Sequence, residues 1–486
     1  MHLTIHRYEE KPLGLPNEAF TFTNSERGQL SCPRKWWFSE VEALRPKQAS
    51  DRPLRYGAAW AQIIEDVQRW WMEKDSAYPE DAEMLCAWCN HRGECSKCNS
   101  TGRGPAARAH YHWDSLQKSG LASDDNWNPE HDLEGLRRAL YGWFRRNGSR
   151  SVPEPYKVVG VECAFAAPIR DQQGQILLST QTLVRDVDNQ SRVFWRLARS
   201  REAHADDVQT VTWPVYQIGK LDALWQDRTT GDLVIWEGKT SQSAEGYLQG
   251  LSVDPQVPGY AWLLGHHLEA YGAKRVAGFV YDITSSVYQA DPAPLAPKPV
   301  QVLDENGQPL KKGARYVYET DAEGNVIERS PGFSLAKTSG TVPSWRFRTA
   351  LKMRPEFNAA LYEEHVAALE QTVDPKLYVR EFATVGPEVV RRYAREAFGI
   401  AMRIFTMRQA AAAMECAEDS DALFPRVPVC RYGGTVRCGW RAPCVHDGAD
   451  VRESFDRDSA HKWYEQSPVD SKQAEKADSW LMELGW

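Results

Sequence analysis

Residues 219–240 read GKLDALWQDRTTGDLVIWEGKT, two apolar runs joined by a polar turn and interrupted by an aspartate, a glutamate and lysines. Val234, Ile235 and Trp236 are strand formers, Leu221 and Leu224 act as such in this setting, and Arg228 to Gly231 reads as the hairpin loop between the runs. A hairpin with Thr229 opposite Thr230 sets Asp222 opposite Glu237 and Lys220 opposite Lys239. Side chains alternate along a strand, so Glu237 and Lys239 are expected to share a face with Asp222. Cross-strand neighbours stand roughly 5 Å apart at Cβ. Two carboxylates that close in a half-buried place repel each other unless a cation lies between them. The stretch therefore calls for a metal ion.

The chain has 486 residues, 42% of them hydrophobic, enough for a large core in a main domain with insertions or satellites. No run of about 18 apolar residues is present to span a bilayer. The opening MHLTIHRYEEKP lacks the basic-then-apolar layout of a secretory signal. A soluble, cytoplasmic protein without membrane association is expected. The formal net charge of -7 argues against a nonspecific nucleic-acid coat but leaves a local basic surface free to bind phosphate. Nineteen tryptophans, with pairs at Trp36–Trp37 and Trp70–Trp71, read mainly as packing residues.

Residues 25–46, 54–74 and 131–147 read as helices, the last carrying Arg137, Arg138, Arg145 and Arg146 on a largely outward face. Strands are expected at 156–169, near 192, in the opening hairpin and at 275–283, with a helix over 254–272 that holds Pro255 and Pro258 in its first turn. Strand, hairpin, helix, strand specifies a mixed α/β core. Four regions follow: a helical N-terminal region over 1–155 with a Cys-rich insertion at 84–104, the α/β core over 156–285, an irregular hairpin-rich excursion over 286–345, and a helical C-terminal region over 346–486 with helices at about 355–373 and 386–417.

GKLDAL followed by EGK resembles the aspartate and Glu-x-Lys motifs of the PD-(D/E)XK nuclease superfamily, and more closely its RecB-like branch. Glu-x-Lys alone carries nothing, but the order around it does. GVECAF at 160–165 resembles that branch's first core strand, with Glu162 as its glutamate, and QVPGY at 256–260 matches its Gln-x-x-x-Tyr helix motif at Gln256 and Tyr260. The resemblance implies a restriction-endonuclease-like mixed sheet flanked by helices. It also implies Mg2+ or Mn2+ on Asp222, Glu237 and the Gly238 carbonyl, hard oxygen donors for hard cations. Lys239 would orient or deprotonate the attacking water, and Gln256 and Tyr260 would face the DNA strand. One departure stands out: the branch's usual Gly-x-x-His helix motif has Trp60 in the histidine's place, after Gly57, in RYGAAWAQIIEDV. His266 and His267 are read as surface or core residues rather than replacements.

Ten cysteines form two clusters, Cys86, Cys89, Cys95 and Cys98, then Cys430, Cys438 and Cys444, leaving Cys32, Cys163 and Cys416. In a cytosolic chain such clusters hold metal more often than they form disulfides. CAWCNHRGECSKCNSTGRG pairs two Cys-x-x-Cys knuckles, a tetrahedral zinc pattern. LSCPRKWWF and CRYGGTVRCGWRAPC together resemble the split iron-sulfur signature of AddB-type and CRISPR-associated exonucleases, which implies a four-iron four-sulfur cluster on Cys32, Cys430, Cys438 and Cys444; the spacing by itself also admits zinc. Cys163 and Cys416 read as ordinary buried thiols.

The function expected from these features is a metal-dependent DNA exonuclease, bacterial or phage-encoded, that acts on single-stranded or duplex ends in recombination, repair or phage DNA processing. No Gly-x-x-x-x-Gly-Lys-Ser/Thr phosphate loop occurs, so a helicase motor or an annealing protein would be a separate chain. Two rivals are a catalytically weak or inactive nuclease-like subunit that only grips DNA, motivated by Trp60, and a zinc-stabilised scaffold with no DNA affinity.

Overall fold

The computed structural model describes residues 3–5, 12–16, 19–23, 30, 32–33, 44–46, 52–79, 129–146, 152–187, 193–198, 208–241, 243–251, 256–287, 289–293, 299–301, 316–318, 333, 342–355, 357–413, 455–457 and 463–465. In chain order the N-terminal part gives β1 (Leu3–Ile5), β2 (Phe20–Thr23), β3 (Leu44–Pro46), α1 (Arg52–Lys74) and α2 (Pro129–Arg146). The centre gives β4 (Tyr156–Pro168), β5 (Leu178–Val187), β6 (Val193–Leu197), β7 (Val208–Asp227), β8 (Leu233–Ser241), α3 (Ala244–Leu251), α4 (Gln256–Gly265) and β9 (Val276–Ser285). The remainder gives β10 (Pro299–Gln301), β11 (Tyr316–Tyr318), α5 (Ser344–Met353), α6 (Glu363–Thr372), α7 (Asp374–Leu377), β12 (Tyr378–Thr384), α8 (Pro387–Ala413), β13 (Phe455–Arg457) and β14 (Trp463–Glu465).

β7 organises a mixed sheet of ten strands. β4 and β5 follow one another along one of its edges, both antiparallel to it. β2, in parallel, and β8, antiparallel, line the other edge. β9 runs parallel to β8, and the connection between them carries α3 and α4, as a parallel pair requires. β12 closes that side against β9, while β6, β14 and β1 extend the sheet beyond β5. The expected mixed α/β core flanked by helices is therefore present.

Two apolar layers cover the sheet. Val215, Leu221, Ile235, Leu263, Phe279, Ala401 and Ile404 belong to one, supplied with helices by α4 and α8. Ile63, Val67, Trp71, Leu140, Trp143, Trp225, Trp236 and Val280 belong to the other, supplied by α1 and α2. Trp71 and Trp143 stack with ring centroids 5.9 Å apart, so these tryptophans do fill the core. A smaller cluster of Phe333, Phe347, Phe357 and Tyr362 lies around α5 and α6.

Several expectations need correction. Residues 44–46, placed in a helix from sequence, form β3 and pair with Phe455–Arg457, a partner more than four hundred residues away that no local pattern announces. The helix expected over 355–373 is a 3-10 turn at Ala359–Tyr362 followed by α6, and the helix expected over 386–417 is described as Pro387–Ala413. α5 and β12 lie where no element was expected. Arg138 is not on a solvated face: it is only 10% exposed, donates to the Gln289 carbonyl at 2.6 Å and pairs with Asp291, because the chain after β9 returns over α2. Among the described residues no helix is long and apolar enough to cross a membrane. Cys86, Cys89, Cys95, Cys98, Cys416, Cys430, Cys438 and Cys444 lie outside the described residues.

A buried ion pair fastens the edge strand. Asp282 of β9, 1% exposed, accepts two hydrogen bonds from the Arg380 guanidinium of β12 at 2.7 and 2.5 Å and one from the Trp236 indole at 2.7 Å. Removing one partner of such a pair leaves the other charge buried alone. Asp282→Ala is expected to lower the unfolding free energy by about 3–5 kcal/mol in denaturant titration; a loss below about 1 kcal/mol would show that Arg380 escapes to solvent without cost.

Candidate active site

The turn between β7 and β8 fixes their register. The Asp227 carboxylate accepts the backbone N–H groups of Thr229 and Thr230, both at 2.8 Å, while Gly231, at φ +75°, returns its own N–H to the Asp227 carbonyl at 2.9 Å. These bonds hold the Asp227 carboxyl below the usual carboxylate range. The ladder then pairs Gln226 with Leu233, Trp225 with Val234, Leu224 with Ile235 and Ala223 with Trp236, which is the register read from the sequence.

Past Ala223 and Trp236 the ladder stops. The Asp222 carboxylate takes the Gly238 N–H at 3.0 Å instead of a strand partner. The side-chain alternation also slips here. Val211, Trp213, Val215 and Leu221 of β7 pack on the α4 and α8 side, whereas Ala223 and Trp225 pack on the α1 and α2 side. β4 shows the same change, with Phe165, Ala167 and Ile169 on the first side and Val161 on the second. The residue at the change in β4 is Glu162, at φ +56°, a left-handed conformation that is costly for a side chain with a Cβ and that concentrates at functional sites. Asp222 and Glu162 thus sit where two neighbouring strands switch faces together, and simple alternation from the hairpin does not apply to Asp222.

The parting strands leave a cleft of about 230 Å3 bordered by α1, the end of β8, Glu162 and Asp222. Asp222, Glu162, Lys239 and the Gly238 backbone line it, with Gly57, Trp60, Ala61, Ile64, Glu65 and Gln68 from α1 opposite. Gly57 permits the approach: a Cβ there would stand 3.2 Å from the Thr240 hydroxyl. Glu237, 2% exposed, lies behind the cleft, where it receives the Lys239 ammonium and the Gln256 amide, the latter at 3.2 Å. Gln256 also donates to the Tyr260 hydroxyl at 2.7 Å. The structure therefore gathers Asp222, Glu237, Gly238, Lys239, Gln256, Tyr260 and Glu162, with Lys239 paired to Glu237 and lining the cleft together with Asp222.

Electrostatics around Lys239 are strong. Burial would push the Lys239 amine down, but the Glu237 and Asp222 carboxylates outweigh it and hold the amine above the ordinary lysine range. Burial pushes the Asp222 carboxyl up, against the opposing pull of Lys239 and the Gly238 N–H. Burial pushes the Glu162 carboxyl up as well, opposed by its Lys220 partner and reinforced by Glu65 and Asp222. Carboxyls raised in this way gain from a cation that replaces the proton.

Among the described residues no three His, Cys, Asp or Glu side chains stand close enough to share an ion. The reason is visible: Glu162 is drawn to Lys220, Glu237 to Lys239, and Asp222 to the Gly238 N–H. The donor chemistry of Asp222, Glu237 and the Gly238 carbonyl, all oxygen, nonetheless suits a hard divalent cation.

Trp60 is 3% exposed and meets Trp143 edge-on at 6.5 Å, so it closes the floor of the cleft as a core residue. Glu65, one helical turn beyond Ala61, enters the same cleft and was missed from sequence. Its signal was an acid on the Gly57, Ala61 and Ile64 side of an otherwise apolar helix stripe. His267 bonds the Ala166 carbonyl at 2.8 Å and His266 sits exposed beside Trp262, so neither approaches the acids. Cys32 is half-buried and outside any disulfide, and the cysteines assigned with it lie outside the described residues.

A family model of the PD-(D/E)XK nuclease superfamily matches residues 27–332, an interval that contains the whole cleft. No curated protein matches the chain.

The raised Asp222 carboxyl sets a pH dependence. A folded pKa above the unfolded one means that folding is favoured by protonation, so this group costs stability at neutral pH and the cost fades as pH falls toward its unfolded value, about 4. Asp222→Asn is therefore expected to raise the melting temperature of the metal-free protein at pH 8, with the gain vanishing near pH 4. A lower melting temperature at pH 8 would show that Lys239 and the Gly238 N–H, not burial, govern this group.

Proposed function

The chain belongs to the PD-(D/E)XK nuclease superfamily, and from that premise we propose that it is a Mg2+- or Mn2+-dependent DNA exonuclease that hydrolyses phosphodiester bonds at DNA ends. The observation that carries this reading is the half-buried Lys239 ammonium, paired with Glu237 and within electrostatic reach of Asp222, where β7 and β8 part. A divalent ion held by Asp222, Glu237 and the Gly238 carbonyl would supply Lewis-acid stabilisation of charge on the scissile phosphate.

Lys239, kept protonated by its two carboxylates, serves as a fixed cation that orients the attacking water and a phosphate oxygen, rather than as the base. Glu162, raised above the ordinary carboxylate range and lining the cleft, is the group proposed to receive the water's proton. The water oxygen bonds to phosphorus, the bond from phosphorus to the leaving sugar oxygen breaks, and that oxygen takes up a proton. Gln256, bonded to both Glu237 and Tyr260, holds the Glu237 carboxylate in place and, with Tyr260, fronts the strand near the cut.

The same reading assigns a cytoplasmic role in recombination, repair or phage DNA processing, with any helicase or annealing activity on a separate chain. It assigns a four-iron four-sulfur cluster to Cys32, Cys430, Cys438 and Cys444, and zinc to Cys86, Cys89, Cys95 and Cys98. The second reading, an inactive nuclease-like subunit that only grips DNA, draws its support from the carboxylates' engagement by lysines and from Trp60's burial in the core.

Linear DNA incubated with Mg2+ or Mn2+ is expected to be degraded by the wild type while closed circles survive. Glu237→Ala and Lys239→Ala are expected to lose about 100-fold or more in rate; equal activity in all three proteins would remove the enzyme reading. Anaerobically purified protein should be brown and contain iron and zinc, and Cys430→Ser should lose the colour. A colourless, zinc-only wild type would overturn the cluster assignment.

A further inference from the structure

A second surface lies beside the cleft, on α2 and α5. Tyr141 and Trp345 place their rings 4.8 Å apart at the centroids, and both are half-exposed. The Arg145 guanidinium lies 5.1 Å from the Tyr141 ring centre and donates to its hydroxyl at 2.7 Å, while Arg346 lies 5.2 Å from the Trp345 ring centre. Arg138 and Arg346 share Asp291, and Arg138 also pairs with Glu134 at 2.7 Å, so those charges cancel; the positive bias of the ridge comes from Arg145 and Arg146, both exposed in the last turn of α2.

The ridge stands at the same end of the sheet as the cleft. Ser286, just past β9, donates its N–H to the Ser241 carbonyl at the end of β8, two residues beyond Lys239. Three residues later the Gln289 carbonyl receives Arg138 at 2.6 Å. On the inner side of α2, Trp143 meets Trp60 of the cleft wall.

Paired aromatic faces bracketed by guanidinium groups suit flat bases joined by phosphates, because every base has a π-face and every linkage a negative charge. A duplex hides its base faces and would use only the charges. We infer that the Tyr141–Trp345 ridge binds single-stranded DNA by stacking, as a platform for the strand that enters or leaves the cleft. The inference rests on the nuclease reading for its substrate, but the surface can be tested apart from cleavage.

The test measures binding of fluorescent oligothymidylates of 4 and 20 nucleotides, and of a 20-base-pair duplex, to the full chain in Ca2+ across a salt series. Tyr141→Leu, which keeps an apolar contact for Trp345, is expected to weaken 20-mer binding about tenfold while changing duplex binding less than twofold. Arg145→Gln with Arg146→Gln, both on the exposed end of α2, should make the slope of log affinity against log salt shallower by about 1.4, about 0.7 for each lost phosphate contact. Unchanged 20-mer affinity and slope in both variants overturns the proposal, as does equal weakening for 20-mer and duplex. If the wild type binds the 20-mer through these residues but cuts neither it nor the duplex in Mg2+ or Mn2+, the ridge stands and the exonuclease reading falls. If it cuts and the variants bind like wild type, the ridge alone falls.

Discussion

The register of one hairpin determines what can meet in the cleft. Asp227 ties down the turn with its own carboxylate, and from that turn the ladder runs without slippage to Ala223 and Trp236. A shift of one residue would exchange Val234 and Trp236, which pack under α1 and α2, with Leu233 and Ile235, which pack under α4 and α8. Both layers of the core therefore enforce the register that brings Asp222, Glu237 and Lys239 to the same place. The site is a by-product of packing that the fold must satisfy anyway.

What the site adds is a local break in that regularity. β4 and β7 both switch faces at Glu162 and Asp222, and Glu162 accepts a left-handed backbone to do so. The outcome is a gap in the sheet in which carboxyls are buried deeply enough to be raised, yet open enough to line a cavity. Lys239 pairs with Glu237 in the metal-free arrangement, and its charge also reaches Asp222. A carboxylate pair that needs a cation is neutralised by an amine in the same strand, and the amine then remains beside the acids when a divalent ion takes their oxygens.

Much of the core was legible because local signals agreed. Alternating apolar residues, a polar turn and a period of two gave the β7–β8 register, and the stripe of Ile63, Ile64, Val67 and Trp71 gave α1. Elements defined by distant partners were not legible. β3 meets β13 across most of the chain, β2 pairs with the middle of β7, and β12 owes its place to the buried contact between Arg380 and Asp282. At the site, the register could be read as far as Ala223 and Trp236, where the ladder ends, but the direction of Asp222 could not, because the slip in alternation has no sequence signature beyond Gly160 and the unusual Glu162. Trp60 was read as a defect in a metal site; its packing against Trp143 makes it part of the core instead, while Glu65 nearby faces the acids.

The central claim is that Asp222 and Glu237, the latter paired with Lys239 in the metal-free protein, together form a divalent-ion site. Anomalous scattering from crystals soaked in Mn2+ tests it most directly. The account predicts a single strong peak in contact with the Asp222 and Glu237 carboxylates and the Gly238 carbonyl, lost in Asp222→Asn. Strong peaks only elsewhere, or none at saturating Mn2+ with Glu237 still bound to Lys239, would contradict it.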